Sequence, residues 1–527
     1  MSSPPPAGVL GSSPSKPLEP LEKRSPRRTA WRWVLSAAVA AVVVPLSLWV
    51  GRWVGTLGSR TVLAALPALL IVAVVPPLAV VGAEAWLGQR LELGRARWGR
   101  AVGVAIAAQV LTMVGAVWAG ASARRLEDVA LLTVVEAAVL ATVVTKLARP
   151  AVLALLVAVL SVPRPAVAAC PERAQWPTQD WPTGTLPAGR EQALEAFEDY
   201  TFTLEGKDEE RKGVRTDGVV IIHKGRLVYE RYARGFKAEQ RHLGWSMSKS
   251  VTNALTALAV AHGALTLDDS ICKHVKATNE AACAITVRHL LEFGSGLDWK
   301  EGYENGSLQT SSVLAMLYGE GRRDMVAFIT SHALRDKPGT SWEYSSGDTT
   351  LLAGVVGAAM KSRFEEGWEW KLLLDRVGAR SAVFERDGKG TLVGSSLMHA
   401  TPRDWAKLGF LFLNDGCWEG QRLLPEGWVA ASVEVSEPLK QKRVDWDPGD
   451  VQGRQFWLNR RVPGVQDEKP WPDVPEDAYA MRGHWSQSVT IIPSLDLIIV
   501  RMADDREKTF KFNTFLARAI ALVEGTP

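Results

Sequence analysis

Hydropathy divides the chain at about residue 170, and that division limits it to a membrane-embedded half joined to a water-soluble half. Apolar stretches recur at about 33–51, 61–87, 101–120, 129–145 and 150–169. Most approach or exceed the roughly 20 residues that carry a helix across a bilayer. They are apolar on every face, whereas a helix resting on a soluble core keeps one polar side. A transmembrane bundle of four to five helices is therefore expected over 31–169. Residues 1–30, rich in Pro, Ser and Arg, read as a disordered tail that cannot bury enough apolar surface to fold. Glu136 falls inside the fourth stretch, where a carboxyl group is costly and marks either a bundle-facing or helix-end position or a functional site.

Arginine placement orients these spans. Arg24, Arg27, Arg28 and Arg32 precede the first, Arg90, Arg95, Arg97 and Arg100 follow the second, and Lys146 and Arg149 follow the fourth. The positive-inside rule then puts the N-terminus in the cytoplasm. Five spans place everything after residue 170 outside, and four leave it inside. The fifth stretch reads as an export segment, with a basic start, an apolar middle and a small-residue end. Val167-Ala-Ala-Cys170 resembles a lipoprotein cleavage box, but Pro163-Arg-Pro165 interrupts its approach, so an uncleaved segment is expected. The lipid bilayer is thus an expected partner. The expected location is a bacterial inner membrane, multi-pass, with the later domain periplasmic.

Residues 170–195 are dense in Pro and Trp and read as a linker; 196–527 read as a mixed α+β domain. Val219–Tyr232 is two apolar runs around a Lys-Gly turn, a hairpin signal, and Val489–Arg501 repeats the form. Val251–His262, Leu351–Met360, Trp405–Leu413 and Phe510–Glu524 carry apolar residues at helical spacing. Strands at both ends with helices between predict one antiparallel sheet covered by helices, plus a helical region. The net charge of +4, with no basic run interleaved with aromatics, argues against nucleic acid as a partner. Four cysteines, no CxxC pair and no HExxH leave no legible metal site. Cys272 and Cys283 bracket a short stretch that would close as a disulfide in an oxidising compartment.

Ser-x-x-Lys occurs at Ser13/Lys16, Ser246/Lys249 and Ser270/Lys273, so context must choose among them. Ser13 lies in the tail and Ser270 in a polar loop. Ser246 alone opens a small-residue apolar helix, one that runs to His262 before Gly263. On a helix, i and i+3 share a face, so the Lys249 amine can approach the Ser246 hydroxyl. Packing that helix into a core would desolvate the lysine and lower its pKa toward that of a base. The competing reading is a serine helix cap beside a solvated surface amine.

Trp245-Ser-Met-Ser-Lys-Ser250 after a strand hairpin resembles the active-site serine box of the β-lactamase and penicillin-binding protein superfamily. The resemblance is nearer to class C-like esterases and 6-aminohexanoate-dimer hydrolases. It spans 196–527 and includes Gly263–Ser270, Ile285–Trp299 and Ala400–Gly409. It implies a β-lactamase/transpeptidase-like fold and a second element, Tyr-x-Asn or Tyr-x-Ser, whose phenol shuttles protons. Tyr303-Glu-Asn305 matches that element literally; Trp342-Glu-Tyr-Ser-Ser346 matches in context, and Tyr344 with Ser346 is the reading taken. Tyr303 then falls where nylon-oligomer hydrolases carry a mobile substrate-contacting tyrosine. The third element aligns with Met481-Arg-Gly483, so the His484 N–H would join that of Ser246 as oxyanion donors. Relatives read Gly-His-x-Gly-Gln here, whereas this chain has Ser486 in place of the last glycine. No Lys-Thr-Gly is present to hold a β-lactam carboxylate, leaving Arg482 as the substitute.

The implied activity is hydrolysis of a small-molecule or oligomeric ester or amide through a Ser246 acyl-enzyme, with Lys249 and Tyr344 as the base system. Neither a metal nor an organic cofactor is implied. A penicillin-sensing receptor acylated without turnover would share these residues but usually brings a metalloprotease motif, which is missing. An inactive binding domain would keep the fold alone. An α/β-hydrolase reading of Gly244-Trp-Ser-Met-Ser248 lacks the last glycine of Gly-x-Ser-x-Gly.

Overall fold

Lys224 and Gly225 both adopt positive φ, 53° and 74°, the pairing that lets a two-residue turn follow the twist of its strands. Around it the computed structural model folds β1 (Thr216–His223) back on β2 (Arg226–Tyr232). The structure describes residues 170–524, apart from 305, 445, 446, 448 and 508. The tail, the apolar stretches, Glu136 and the Ser13/Lys16 pair lie outside the described residues. Among the described residues no helix is long and apolar enough to cross a membrane.

The remaining strands follow in chain order as β3 (His242–Leu243), β4 (Val383–Phe384), β5 (Met398–Ala400), β6 (Cys417–Trp418), β7 (Gln421–Arg422), β8 (Trp457–Leu458), β9 (Tyr479–Gly483), β10 (Gln487–Ile492) and β11 (Leu497–Ala503). Six of them form one antiparallel sheet in the order β2-β1-β11-β10-β9-β8. Five longer helices are α1 (Glu191–Phe202), α2 (Met247–Ala261), α3 (Ser346–Lys361), α4 (Pro402–Leu413) and α5 (Phe512–Glu524).

Side chains alternate across a strand, and here both faces are apolar, so the sheet is buried between two helical layers. Val220, Ile222, Val489, Ile491, Ile498 and Val500 point into a large core with residues of α2, α3 and α4. Val219, Ile221, Ile492, Leu497 and Ile499 point into a second core with Phe197 of α1 and Phe515 and Leu522 of α5. The predicted sheet with helical cover is thus a three-layer arrangement. Short helices at Val287–Leu291, Ser312–Tyr318 and Met325–Thr330 belong to the helical region beside α3.

The Pro/Trp-rich segment differs from the free linker its composition suggests. Cys170 is bonded to Cys417, Arg173 pairs with Asp496, and Thr183 bridges to Leu227 on the sheet edge. The Trp181 ring is buried against Phe410, and Trp176 packs on Phe410 and Trp418. Aromatic rings this large are stabilised by burial, and that outweighs the missing helical periodicity. A cysteine whose sulfur is held in a disulfide has no thiol for lipid attachment, so the cleavage-box resemblance at Cys170 is not a modification site in this state. Cys272 and Cys283 are joined to each other.

Candidate active site

Thirteen consecutive residues of α2, Met247–Ala259, are buried, and the chain approaches the helix closely at Gly394. An added Cβ at Gly394 would sit 2.6 Å from Thr252 Oγ1 and 2.7 Å from Ala353 Cβ. Lys249 is carried into this interior by its helix and is only 2% exposed.

The entry to α2 is a strained corner. Trp245 has φ 48°, a left-handed conformation that a bulky residue rarely adopts. The corner is held from behind: Ser248 Oγ donates to the Trp245 carbonyl at 2.7 Å and accepts from Met398 N–H at 3.1 Å. Gly244 is wedged against the Trp405 ring. Strain of this kind clusters at functional sites. Ser246 follows as the first residue of the turn, and its side chain makes no capping hydrogen bond. The hydroxyl is left for Lys249, whose Nζ lies 3.3 Å from Ser246 Oγ.

The lysine has two further partners. Its Nζ donates to Ser346 Oγ at 2.9 Å and to the Ser395 carbonyl at 3.1 Å. Burial lowers its pKa to about 8, and the charges of Glu301 and Asp348 limit the fall. Ser346 opens α3, which Ser345 caps by accepting from Asp348 N–H at 2.9 Å. Tyr344 precedes that cap. Its ring centroid is 5.0 Å from Lys249 Nζ and its phenol contacts the Ser246 side chain. Burial raises the Tyr344 pKa well above that of an ordinary phenol, so the proton stays on the oxygen at neutral pH.

The end of β9 closes the other side. A Cβ on Gly483 would overlap the Gly244 carbonyl oxygen, so the strand end and the corner that precedes Ser246 are in direct backbone contact. Beyond it, Trp485 and Ser486 take φ 57° and 67°. Ser486 thus adopts a left-handed backbone that favours glycine, at a cost of about 1–2 kcal/mol. Gln487 secures the turn by donating to the carbonyls of His484, Trp485 and Ala503.

The two candidates for the second element are both at the site, in different places. Tyr303 OH is 3.5 Å from Ser346 Oγ, and its ring stacks on His484 at 5.1 Å. Its partner Asn305 lies outside the described residues. Glu304 accepts from His484 Nε2 at 2.9 Å and Trp485 Nε1 at 3.3 Å, fastening the Tyr303 loop across the corner. Ser270 and Lys273 do not face each other: Ser270 Oγ donates to the Cys283 carbonyl at 2.7 Å, and Lys273 pairs with Asp269 at 2.9 Å. Arg482 is not the free cation that a β-lactam carboxylate needs. Its guanidinium lies 4.9 Å from the Trp457 centroid and 4.7 Å from that of Phe512.

Sequence reasoning missed Glu301 and Ser395. The Glu301 carboxylate accepts from Ser346 Oγ at 2.5 Å, Ser346 N–H at 2.8 Å and Trp299 Nε1 at 2.6 Å. Ser395 acts through a carbonyl, which no side-chain pattern announces. Glu301 stands two residues before Tyr303, and that adjacency was its one signal. Among the described residues no group of three or more His, Cys, Asp or Glu is placed to hold a metal.

A family model described as Beta-lactamase matches residues 201–522. The 6-aminohexanoate-dimer hydrolase of Paenarthrobacter ureafaciens is 24% identical over 292 residues, 49% of this chain and 73% of that protein. A solved structure from Bacillus anthracis, provisionally named a 6-aminohexanoate-dimer hydrolase, is 18% identical. It covers 66% of this chain and 86% of its own, with a TM-score of 0.49. A D-stereospecific amidohydrolase from Streptomyces sp. is 16% identical and covers 59% of this chain and 95% of its own, with a TM-score of 0.42.

Proposed function

Because the chain belongs to the beta-lactamase family, we propose that its 196–527 domain is a serine hydrolase that cleaves esters or amides through a Ser246 acyl-enzyme. One observation carries this reading: a buried lysine with a pKa of about 8 sits 3.3 Å from an uncapped serine hydroxyl at a helix start. Neutral Lys249 takes the Ser246 proton as Oγ bonds to the substrate carbonyl carbon. The oxyanion is received by the backbone N–H groups of Ser246 and His484. Tyr344, protonated at neutral pH, gives its proton to the leaving alkoxide or amine and recovers one from the Lys249 ammonium. Water then attacks the acyl carbon, and the same groups return the proton to Ser246.

Small esters and oligomeric amides are the substrates proposed. The Paenarthrobacter relative is named for an aminohexanoate dimer, so an amide oligomer of that kind belongs among the first compounds tried. β-Lactams are less favoured, since Arg482 is occupied by two rings. We further propose that 31–169 holds the domain at a membrane, N-terminus cytoplasmic and catalytic domain periplasmic. The arginine pattern and two disulfides, which form in oxidising compartments, support that placement.

The direct test uses the full-length chain in detergent, with a p-nitrophenyl ester, an aminohexanoate oligomer, a chromogenic β-lactam and a fluorophosphonate probe. Stoichiometric labelling with turnover of the ester or the oligomer is expected. No label and no turnover of any of the three would overturn the proposal.

The contact between β9 and the corner that precedes Ser246 gives a second expected result. Gly483→Ala drives a methyl group into the Gly244 carbonyl oxygen. The two oxyanion donors must then separate, and ester kcat is expected to fall about 10²-fold or more. Far-UV circular dichroism should be unchanged. Full activity in this variant would remove His484 from the oxyanion hole.

A further inference from the structure

Lys249 has three neighbours within hydrogen-bonding distance but, as the neutral base, only two protons to give. The Ser395 carbonyl at 3.1 Å can only accept, so it takes one. Ser346 Oγ at 2.9 Å and Ser246 Oγ at 3.3 Å are hydroxyls, able to accept or donate. Whichever of them donates receives the lysine lone pair. Catalysis requires that it be Ser246.

Glu301 decides the matter. Its carboxylate has no proton, and Oε1 lies 2.5 Å from Ser346 Oγ, so the Ser346 proton points to Glu301. Ser346 then has only lone pairs for Lys249 and for Tyr303 OH at 3.5 Å. The other carboxylate oxygen is fixed by two donors, Ser346 N–H and Trp299 Nε1. We infer that Glu301 is a positioning residue that sets the polarity of the Ser346 hydroxyl, so that the lone pair of Lys249 is left facing Ser246. The inference rests on the acyl-transfer reading above.

The amide introduced by Glu301→Gln makes a sharp test. Two fixed N–H donors, from Ser346 and Trp299, require the amide oxygen on their side, which turns the NH2 toward Ser346 Oγ. Ser346 then accepts from that NH2 and turns its own proton to Lys249 at 2.9 Å, nearer than Tyr303 OH at 3.5 Å, occupying the lone pair. Ester kcat is expected to fall about 10- to 100-fold, at most the low end of what losing a general base costs, with KM altered less than about twofold. The alkaline-rising limb of the pH profile should also move to lower pH, because an anion that favours the ammonium has gone. Asp348, the other carboxyl facing Lys249, and the phenols of Tyr303 and Tyr344 are unchanged in this variant.

Loss of rate together with an acid-shifted limb is not what a merely structural role would give. Glu301→Asp keeps the charge and should hold the limb near that of the wild type. Because the effect passes through Ser346, the double variant Glu301→Gln/Ser346→Ala should be no slower than Ser346→Ala alone. Wild-type kcat in Glu301→Gln, additive losses in the double variant, or an equal limb shift in Glu301→Asp would each overturn the inference. Ser246→Ala in the same preparation separates the two levels. If the wild type neither labels nor turns over, the acyl-transfer reading falls and Glu301 falls with it; if it does both, Glu301 stands or falls alone.

Discussion

Ser246→Ala is expected to lower ester or amide turnover at least about 10³-fold and to abolish fluorophosphonate labelling. The fold should tolerate the change. Ser246 Oγ caps no backbone N–H, and its contacts are with Lys249 and Tyr344. Losing such contacts costs about 1 kcal/mol. A helix-cap serine would behave differently, with about 1–2 kcal/mol lost and turnover kept. The pair of measurements, melting temperature and turnover, therefore separates a nucleophile from a cap. Wild-type protein that labels once and then stalls would instead match the penicillin-sensing receptor, in which the acyl group is never released.

Local patterns made half of this site readable. The i, i+3 spacing put Ser246 and Lys249 on one helix face, and the Lys-Gly turn announced β1 and β2. Tyr344 came from its place before α3, where Ser345 and Ser346 follow an aromatic lead-in. Glu301 stayed hidden because it reaches Ser346 from a loop 45 residues earlier, and loop paths follow no periodicity. Ser395 contributes a carbonyl, so its side chain was irrelevant. The Cys170–Cys417 pairing spans 247 residues, beyond any spacing argument, whereas the 11-residue separation of Cys272 and Cys283 was suggestive. In the 170–195 segment, proline hid the packing that Trp176 and Trp181 signalled.

Lys249 carries the second large effect, and its pH dependence has a definite sign. In the proposed mechanism the free amine is the active form, and burial favours it, bringing the pKa from 10.5 to about 8. Turnover should therefore rise as pH increases through about 8 and level off above it. Lys249→Met should remove that limb and lower kcat by about 10²- to 10⁴-fold, the contribution of a general base. Stability moves the same way with pH, over a higher window. Between about 8 and 10.5 the unfolded chain binds the lysine proton and the folded chain does not, so wild-type stability should rise across this window. Below pH 8 the full penalty of protonating a buried amine is present, about 3 kcal/mol for the shift involved. Methionine removes that penalty but leaves the Ser395 carbonyl without its donor, at about 1–3 kcal/mol. The two nearly offset, so the variant should melt no lower than the wild type at pH 7. An amine whose removal abolishes turnover without weakening the fold is held there for its chemistry. Turnover in Lys249→Met that kept the wild-type pH limb would assign the base to another group.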